Sequence, residues 1–323
     1  MASVDSLRGH LDEELRNASP RLKEIAETTF KKVTEGDSMP VDLCKFVWAE
    51  VRALCTREQL PEALIIWKKL TTRIAEGSFQ TSVQEQRDRI SAKKMSTEIL
   101  RAYEVIRKNG RGVVYLGSAR TQPGNPYFEG ARELGREVYL LLRSTSWSGA
   151  GPGQMEAPLL GAKEAGGRVA GVKIIINDER AAFEQSVTSA LDPENVALCD
   201  YFGPRKIGLA DAAMREQESD RTAIIATPGG WGTRDEVFEY LVLKQLKKMG
   251  TKHPVPLIIK NQNHFFDKML EDNDRMLREG MISEDDLKLF SVCDSNRCVL
   301  DTLADFYAIP EEERGYKLRE LAY

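Results

Sequence analysis

The sequence predicts an α/β protein, a doubly wound parallel sheet preceded by a helical extension. Three observations carry this prediction. From residue 112 onward, short β-branched apolar runs alternate with amphipathic helical patterns, as parallel strands joined by right-handed crossovers require. Three of the strand-to-helix junctions are turns of small residues: Gly117-Ser118-Ala119, Gly149-Ala150-Gly151-Pro152-Gly153 and Pro228-Gly229-Gly230-Trp231-Gly232. Before residue 109 the apolar spacing is helical throughout. The expected boundaries are a helical extension over 1–108, a nucleotide-binding α/β domain over 109–308 and a charged C-terminal tail over 309–323.

Taken in order, Leu43, Phe46, Val47, Val51 and Leu54 recur at helical spacing, as do Leu60, Ala63, Leu64, Trp67 and Leu70. Ser96 to Arg107 gives a further helix with Ile99, Tyr103 and Ile106 on one side. Trp48 and Trp67 read as core or interface residues. No motif in this extension carries chemistry. At Gly112-Val113-Val114-Tyr115-Leu116 the pattern changes to a buried strand, the opening of a Rossmann-like unit. Asn125-Pro126 starts the next helix, whose Phe128, Ala131, Leu134 and Val138 share a face. A short strand from Ser144 delivers the second glycine turn to a second helix, which Gly166-Gly167 closes. Strands then follow at 168–177 and 196–202, a helix at 206–218, and a strand at 222–226 that leads into the third turn. Beyond the helix after that turn come a strand at 255–260, a helix at 265–278, a short strand at 290–292 and a helix at 297–307.

Composition narrows the function classes. Forty-six Lys and Arg against fifty Asp and Glu give a net charge of −4, with no block of like charge suited to nucleic acid or a membrane surface. The five cysteines are scattered, with no C-x-x-C pair, and read as reduced thiols. No two of the three histidines share metal-ligand spacing, so no metal site is expected. No apolar run approaches a membrane span, and the acidic N-terminal residues Asp5, Asp12, Glu13 and Glu14 do not suit a targeting peptide. The expected address is the cytoplasm.

The third turn concentrates the chemistry. Its glycines remove the Cβ atoms that would keep a ligand off the backbone, and a helix start offers unpaired N–H groups and a positive dipole end to a phosphate. The simpler reading is a tight connection whose glycines serve only geometry. A second ambiguity lies in Thr233-x-x-Glu236, which also fits a capping box with Thr233 as the cap. Three such turns at the carboxyl ends of parallel strands favour a ligand site along that edge. Arg215 and Glu236 stand out as a charged pair flanking the strand before the turn, although Arg215 also fits a solvated helix end.

The order of these motifs, closing with Pro228-Gly229-Gly230-Trp231-Gly232-Thr233-x-x-Glu236, closely resembles the LOG-type family over roughly residues 112–308. Its members are Rossmann-like proteins long labelled lysine decarboxylase-like, many of them nucleoside 5′-monophosphate phosphoribohydrolases that include the cytokinin-activating enzymes. The resemblance implies Glu236 as the catalytic carboxylate, with Gly229, Gly230, Gly232 and Thr233 on the 5′-phosphate. It further implies that Gly117, Ser118, Gly151, Gly153 and Met155 line the nucleotide pocket, with Glu156 beside it. The family's catalytic arginine belongs to a Met-His-x-Arg-Lys element. The region taken to correspond reads Ala213-Met214-Arg215-Glu216, without the His and Lys, which makes Arg215 the candidate and Arg221 its competitor.

The implied activity is hydrolysis of the N-glycosidic bond of a nucleoside 5′-monophosphate, AMP-like or N6-substituted, with no cofactor. An ionised carboxylate suits the positive charge that develops on the ribose as the base departs. The decarboxylase label has no recognisable lysine element for pyridoxal-phosphate chemistry behind it. A nucleotide or pterin-cofactor carrier or sensor of the same fold is the alternative. The resemblance also implies a homodimer.

Overall fold

Seven strands form one all-parallel sheet in the order β4-β3-β2-β1-β5-β6-β7. The computed structural model describes residues 12–13, 15–16, 18–34, 55–56, 58–175 and 188–319. The chain divides into two units between Lys93 and Lys94. In the first, helix α1 spans Pro20–Thr34, and Leu15, Ala18, Leu22 and Ala63 form a small apolar cluster. Helix α2 runs from Leu60 to Asn109, so the two helical patterns read separately at 60–70 and 96–107 are one helix. The pattern from Leu43 to Leu54, with Trp48, lies outside the described residues, as does the Trp67 side chain.

The second unit holds the sheet. Its elements are β1 Gly112–Leu116, α3 Pro126–Leu142, β2 Thr145–Ser148, α4 Ala157–Glu164, β3 Val169–Ile174, β4 Val196–Cys199 and α5 Phe202–Ala212. They continue as β5 Ala223–Ala226, α6 Trp231–Gln245, β6 Leu257–Lys260, α7 Asp267–Arg278, α8 Glu284–Leu287, β7 Ser291–Cys293 and α9 Asn296–Phe306. Successive strand residues point to opposite faces, and both faces are apolar because both are covered. On one face Val114, Leu116, Trp147, Ile224, Ala226 and Ile259 pack with Leu209 of α5, Val237 and Tyr240 of α6, and Ala102 and Ile106 of α2. On the other, Val113, Tyr115, Ile225 and Ile258 pack with Leu134 and Val138 of α3 and with Val299, Leu300 and Leu303 of α9.

Two features of this topology position the site. From β1 the chain moves by way of α3 to β2 on one side, and from β5 by way of α6 to β6 on the other. The crevice between these departures, where neighbouring α/β connections diverge, is where open parallel sheets bind ligands. The register pairs Leu116 of β1 with Ala226 of β5 and Tyr115 with Ser148 of β2, so all three glycine turns leave the same edge. The C-terminal segment lies across α3: the Lys317 carbonyl accepts from Arg136 at 2.6 Å, the Arg319 N–H donates to Glu133 at 2.6 Å, and Tyr316 and Leu318 join the apolar face.

One buried group runs against the core. Lys260 ends β6 with its Nζ buried and without a hydrogen-bond partner, and burial pulls its pKa down to about 8. The unfolded value is near 10.4, so the folded protein carries the full cost of the buried charge below about pH 8, and the cost fades as pH rises toward 10.4. Lys260→Met is expected to raise the thermal midpoint at pH 7, by the equivalent of about 3 kcal/mol, with the gap closing by pH 10. A lower midpoint at pH 7 would show that the ammonium has a partner worth more than its burial.

Candidate functional site

The three turns are stitched together by one residue. Gln154, buried between the second turn and α4, donates from its Nε2 to the Pro228 carbonyl at 2.5 Å and from its backbone N–H to the Ser118 carbonyl at 2.8 Å. Ser118 N–H donates in turn to the Pro228 carbonyl at 3.3 Å, and the Thr227 hydroxyl to the Leu116 carbonyl at 2.9 Å. The glycines permit this close approach. A Cβ on Gly117 would meet Gln154 Cβ at 2.7 Å, and Gly153, at φ +71°, lies against the Ser118 carbonyl. Ala150, at φ 55°, holds the left-handed conformation without a glycine's freedom, strain of the kind that collects at functional sites.

Helix α6 begins at Trp231 with Gly230 as its N-cap, and no side chain caps it. Thr233 therefore lies inside the first turn rather than at the cap, which removes the capping-box reading. The Thr233 side chain packs onto Gly229, where a Cβ would collide with it. Gly230 and Gly232 are exposed, and nothing stands where their Cβ atoms would be. The result is a helix start without a side-chain cap and with open space beside Gly230 and Gly232, a setting suited to an anion.

One turn further along α6, Glu236 is buried, and its carboxylate accepts a hydrogen bond from the Arg205 guanidinium of α5, with which it forms an ion pair. Both side chains are 9% exposed. Around the pair, Gly149 leaves room for Arg205, since a Cβ there would land on its Nη2 and lie 2.8 Å from Met155 Sδ. Met155 in turn covers Gly151. Glu98 of α2 fixes the approach to α5 by accepting from Asp200 N–H at 3.0 Å and Tyr201 N–H at 3.3 Å, and Lys94 pairs with Asp200. Lys206, next to Arg205, bridges Asp235 at 3.0 Å and Glu239 at 3.2 Å, clasping α5 to α6. Gly149→Ala is expected to displace the Arg205 guanidinium and to lower any turnover that depends on the Arg205–Glu236 pair roughly tenfold or more, while barely moving the melting midpoint, because a flexible side-chain end gives way. Steady-state kinetics beside a thermal melt tests this.

The structure does not bring Arg215 to Glu236. Helix α5 runs from the carboxyl edge of the sheet at Phe202 to the amino edge at Ala212, so residues between it and β5 lie at the wrong end. The Arg215 guanidinium donates to the backbone carbonyls of Asp220 at 2.8 Å, Pro254 at 2.9 Å and Glu218, and it stacks near Phe306 and Tyr307. Arg221 is exposed at the same amino edge. The expected helix over 206–218 starts four residues earlier and ends six earlier, which is what moves Arg215 off it. Arg205-Lys206 preserves the Arg-Lys of the family element, with Phe202-Gly203-Pro204 in place of Met-His-x. That dipeptide is the sequence signal for the arginine that pairs with Glu236. Glu156 also faces away: its Oε1 accepts from Thr188 Oγ1 at 2.6 Å and from Ser189 N–H and Oγ at 3.0 Å, anchoring the segment before β4.

Among the described residues no group of three or more His, Cys, Asp or Glu is arranged to hold a metal ion, and no helix is long and apolar enough to cross a membrane. Cys55, Cys199, Cys293 and Cys298 are free thiols.

A family model described as "Possible lysine decarboxylase" matches residues 155–303. The chain is 26% identical over 202 residues to the cytokinin riboside 5′-monophosphate phosphoribohydrolase LOG of Oryza sativa subsp. japonica, a match covering 62% of this chain and 75% of that protein. It is 28% identical over 176 residues to the cytokinin riboside 5′-monophosphate phosphoribohydrolase LOG4 of Arabidopsis thaliana, covering 54% and 73%. Among solved structures, the molybdenum cofactor carrier protein from Chlamydomonas reinhardtii aligns at 18% identity over 61% of this chain and 99% of its own, with a TM-score of 0.38. The molybdenum cofactor binding protein from Rippkaea orientalis aligns at 20% identity over 60% and 94%, with a TM-score of 0.38. By its glycine signature, by that family model and by those relatives, the α/β unit of this chain is similar to the LOG-type family.

Proposed function

We propose that this protein hydrolyses the N-glycosidic bond of a nucleoside 5′-monophosphate, releasing the free base and ribose 5-phosphate. The observation that carries the reading is the buried Glu236–Arg205 pair, one turn beyond an uncapped glycine helix start at the switch point of a parallel sheet. Water adds at C1′ as the bond from C1′ to the base nitrogen breaks, and the water's second proton ends on the departing base. Glu236 stabilises the positive charge on the ribose and orients the water. The N–H groups at Gly230, Trp231 and Gly232, with Thr233 and Gly229, hold the 5′-phosphate, whose binding energy fixes the ribose. Gly117, Ser118, Gly151, Gly153 and Met155 form the walls of the nucleotide pocket. Arg205 takes the role first given to Arg215, clamping phosphate or ribose oxygens in bidentate fashion. Glu156 supports the pocket wall from outside.

A homodimer is part of this reading. Trp231, Phe238, Val242 and the C-cap Leu246 lie along one exposed stripe of α6 and its end, with Trp231 92% exposed in the phosphate turn itself, and exposed apolar patches of this kind favour association. The activity is tested by incubating the pure protein with AMP, GMP, IMP, CMP, UMP and an N6-substituted AMP and detecting released base. Release from at least one supports the reading. Tight nucleotide binding with release from none would make the protein a carrier or sensor instead.

A further inference from the structure

Tyr240 is a buried polar residue on the helix of Glu236 that the proposed reaction leaves unused. It lies on α6 four residues after Glu236 and is fully buried, and its phenol oxygen has no hydrogen-bond partner. Residues four apart stack on one helix face, and helical side chains lean toward the N-terminus. The ring of Tyr240 therefore leans beneath the turn that carries Glu236. Burial first, and the Glu236 charge second, keep the phenol neutral, with Arg205 opposing them. Arg205 Nε is buried and unpartnered as well. A neutral phenol both donates and accepts, so this hydroxyl can serve either member of the ion pair.

The other charges facing the pair are already engaged. Lys206 of α5 neutralises Asp235 and Glu239 of α6. Cys199, at the end of β4, is an uncharged thiol pushed up to about 11 by burial. Lys173 of β3 is also buried, with its Nζ on the Gly151 side of the pocket, and Tyr240 is the residue on the helix of Glu236 whose buried hydroxyl has no partner. In the free protein the Arg205 guanidinium holds the Glu236 carboxylate, yet the proposed reaction needs Arg205 on the substrate and Glu236 on the ribose. When the ion pair opens, a buried carboxylate is left without its hydrogen-bond donor, a costly state unless another group supplies one.

We propose that Tyr240 is a positioning residue, whose hydroxyl takes over the hydrogen bond to Glu236 when the substrate's phosphoribosyl group draws Arg205 away. The inference rests on the hydrolase reading and adds to it a device that keeps Glu236 hydrogen-bonded and aimed through the exchange.

The test is Tyr240→Phe in the full chain, assayed on a nucleotide that the wild type cleaves and beside Glu236→Gln. A hydrogen bond to a charged group corresponds to roughly a ten- to hundredfold change in rate, so kcat is expected to fall by that factor with KM little changed. The acid limb of the kcat profile should move to higher pH, because a carboxylate that loses a donor protonates more readily. The thermal midpoint should hold or rise, since an unsatisfied hydroxyl has been removed. Unchanged kcat with an unmoved acid limb would overturn the inference, and so would a lower kcat accompanied by a lower midpoint and an unmoved limb, which is a packing defect. If Glu236→Gln is inactive while Tyr240→Phe behaves as wild type, the inference alone fails. If the wild type cleaves no nucleotide, both fall together.

Discussion

Replacing Glu236 with glutamine is expected to abolish base release while nucleotide binding persists. The substitution keeps size and shape and can still accept from Arg205, but it removes the negative charge that the oxocarbenium-like transition state needs. Loss of an electrostatic group aimed at developing charge costs about 10²–10³ in kcat or more. KM should change little or fall, because Arg205, no longer neutralised by a carboxylate with which it forms a buried pair, becomes a stronger phosphate ligand. Base release measured against nucleotide binding by calorimetry checks both halves. Wild-type turnover in the variant would reduce Glu236 to a structural partner of Arg205.

The second large effect separates two arginines. Arg205→Ala leaves the Glu236 carboxylate buried without its counter-charge, and breaking one side of a buried pair costs about 3–5 kcal/mol of stability. It also removes the guanidinium proposed to clamp the substrate, so turnover should fall by about 10² or more. Arg215→Ala should behave differently. Its guanidinium holds three backbone carbonyls at the amino edge of the sheet, so the loss is about 1–3 kcal/mol of stability with kcat close to wild type. Melting midpoints and kcat for both variants distinguish the roles. Equal losses of kcat would return Arg215 to the reaction.

Much of this architecture is legible in the chain because strand and helix periods differ. The alternation from residue 112 marks the strands, and the glycine turns mark the edge at which they deliver ligands. Residues 228–236 read locally as a glycine-rich helix start suited to an anion, since that setting is written within one turn. Arg205 is less legible. It meets Glu236 through the tertiary packing of α5 on α6, 31 residues away in sequence, and its helix starts at Phe202 with no side-chain cap to mark the boundary. Placing Arg215 on that helix carries it past Ala212, to the far edge of the sheet. The cap question around Thr233 depends on where α6 begins, at Trp231 rather than after Thr233, and sequence periodicity does not fix a helix end to within about three residues. Tyr240 reads simply as a core residue at helical spacing, and only its unpartnered oxygen distinguishes it.

The most direct test of the account is the product balance from one nucleotide and its phosphate-free nucleoside. The purine nucleoside 5′-monophosphate that the protein cleaves best is incubated with wild type and with Glu236→Gln, alongside the matching nucleoside, and free base and ribose 5-phosphate are both quantified. Equimolar base and ribose 5-phosphate from the wild type is the expected result, with neither product from Glu236→Gln and no base from the nucleoside. Binding without release, or cleavage of the nucleoside as fast as the nucleotide, would contradict a phosphate-anchored hydrolase built around Glu236.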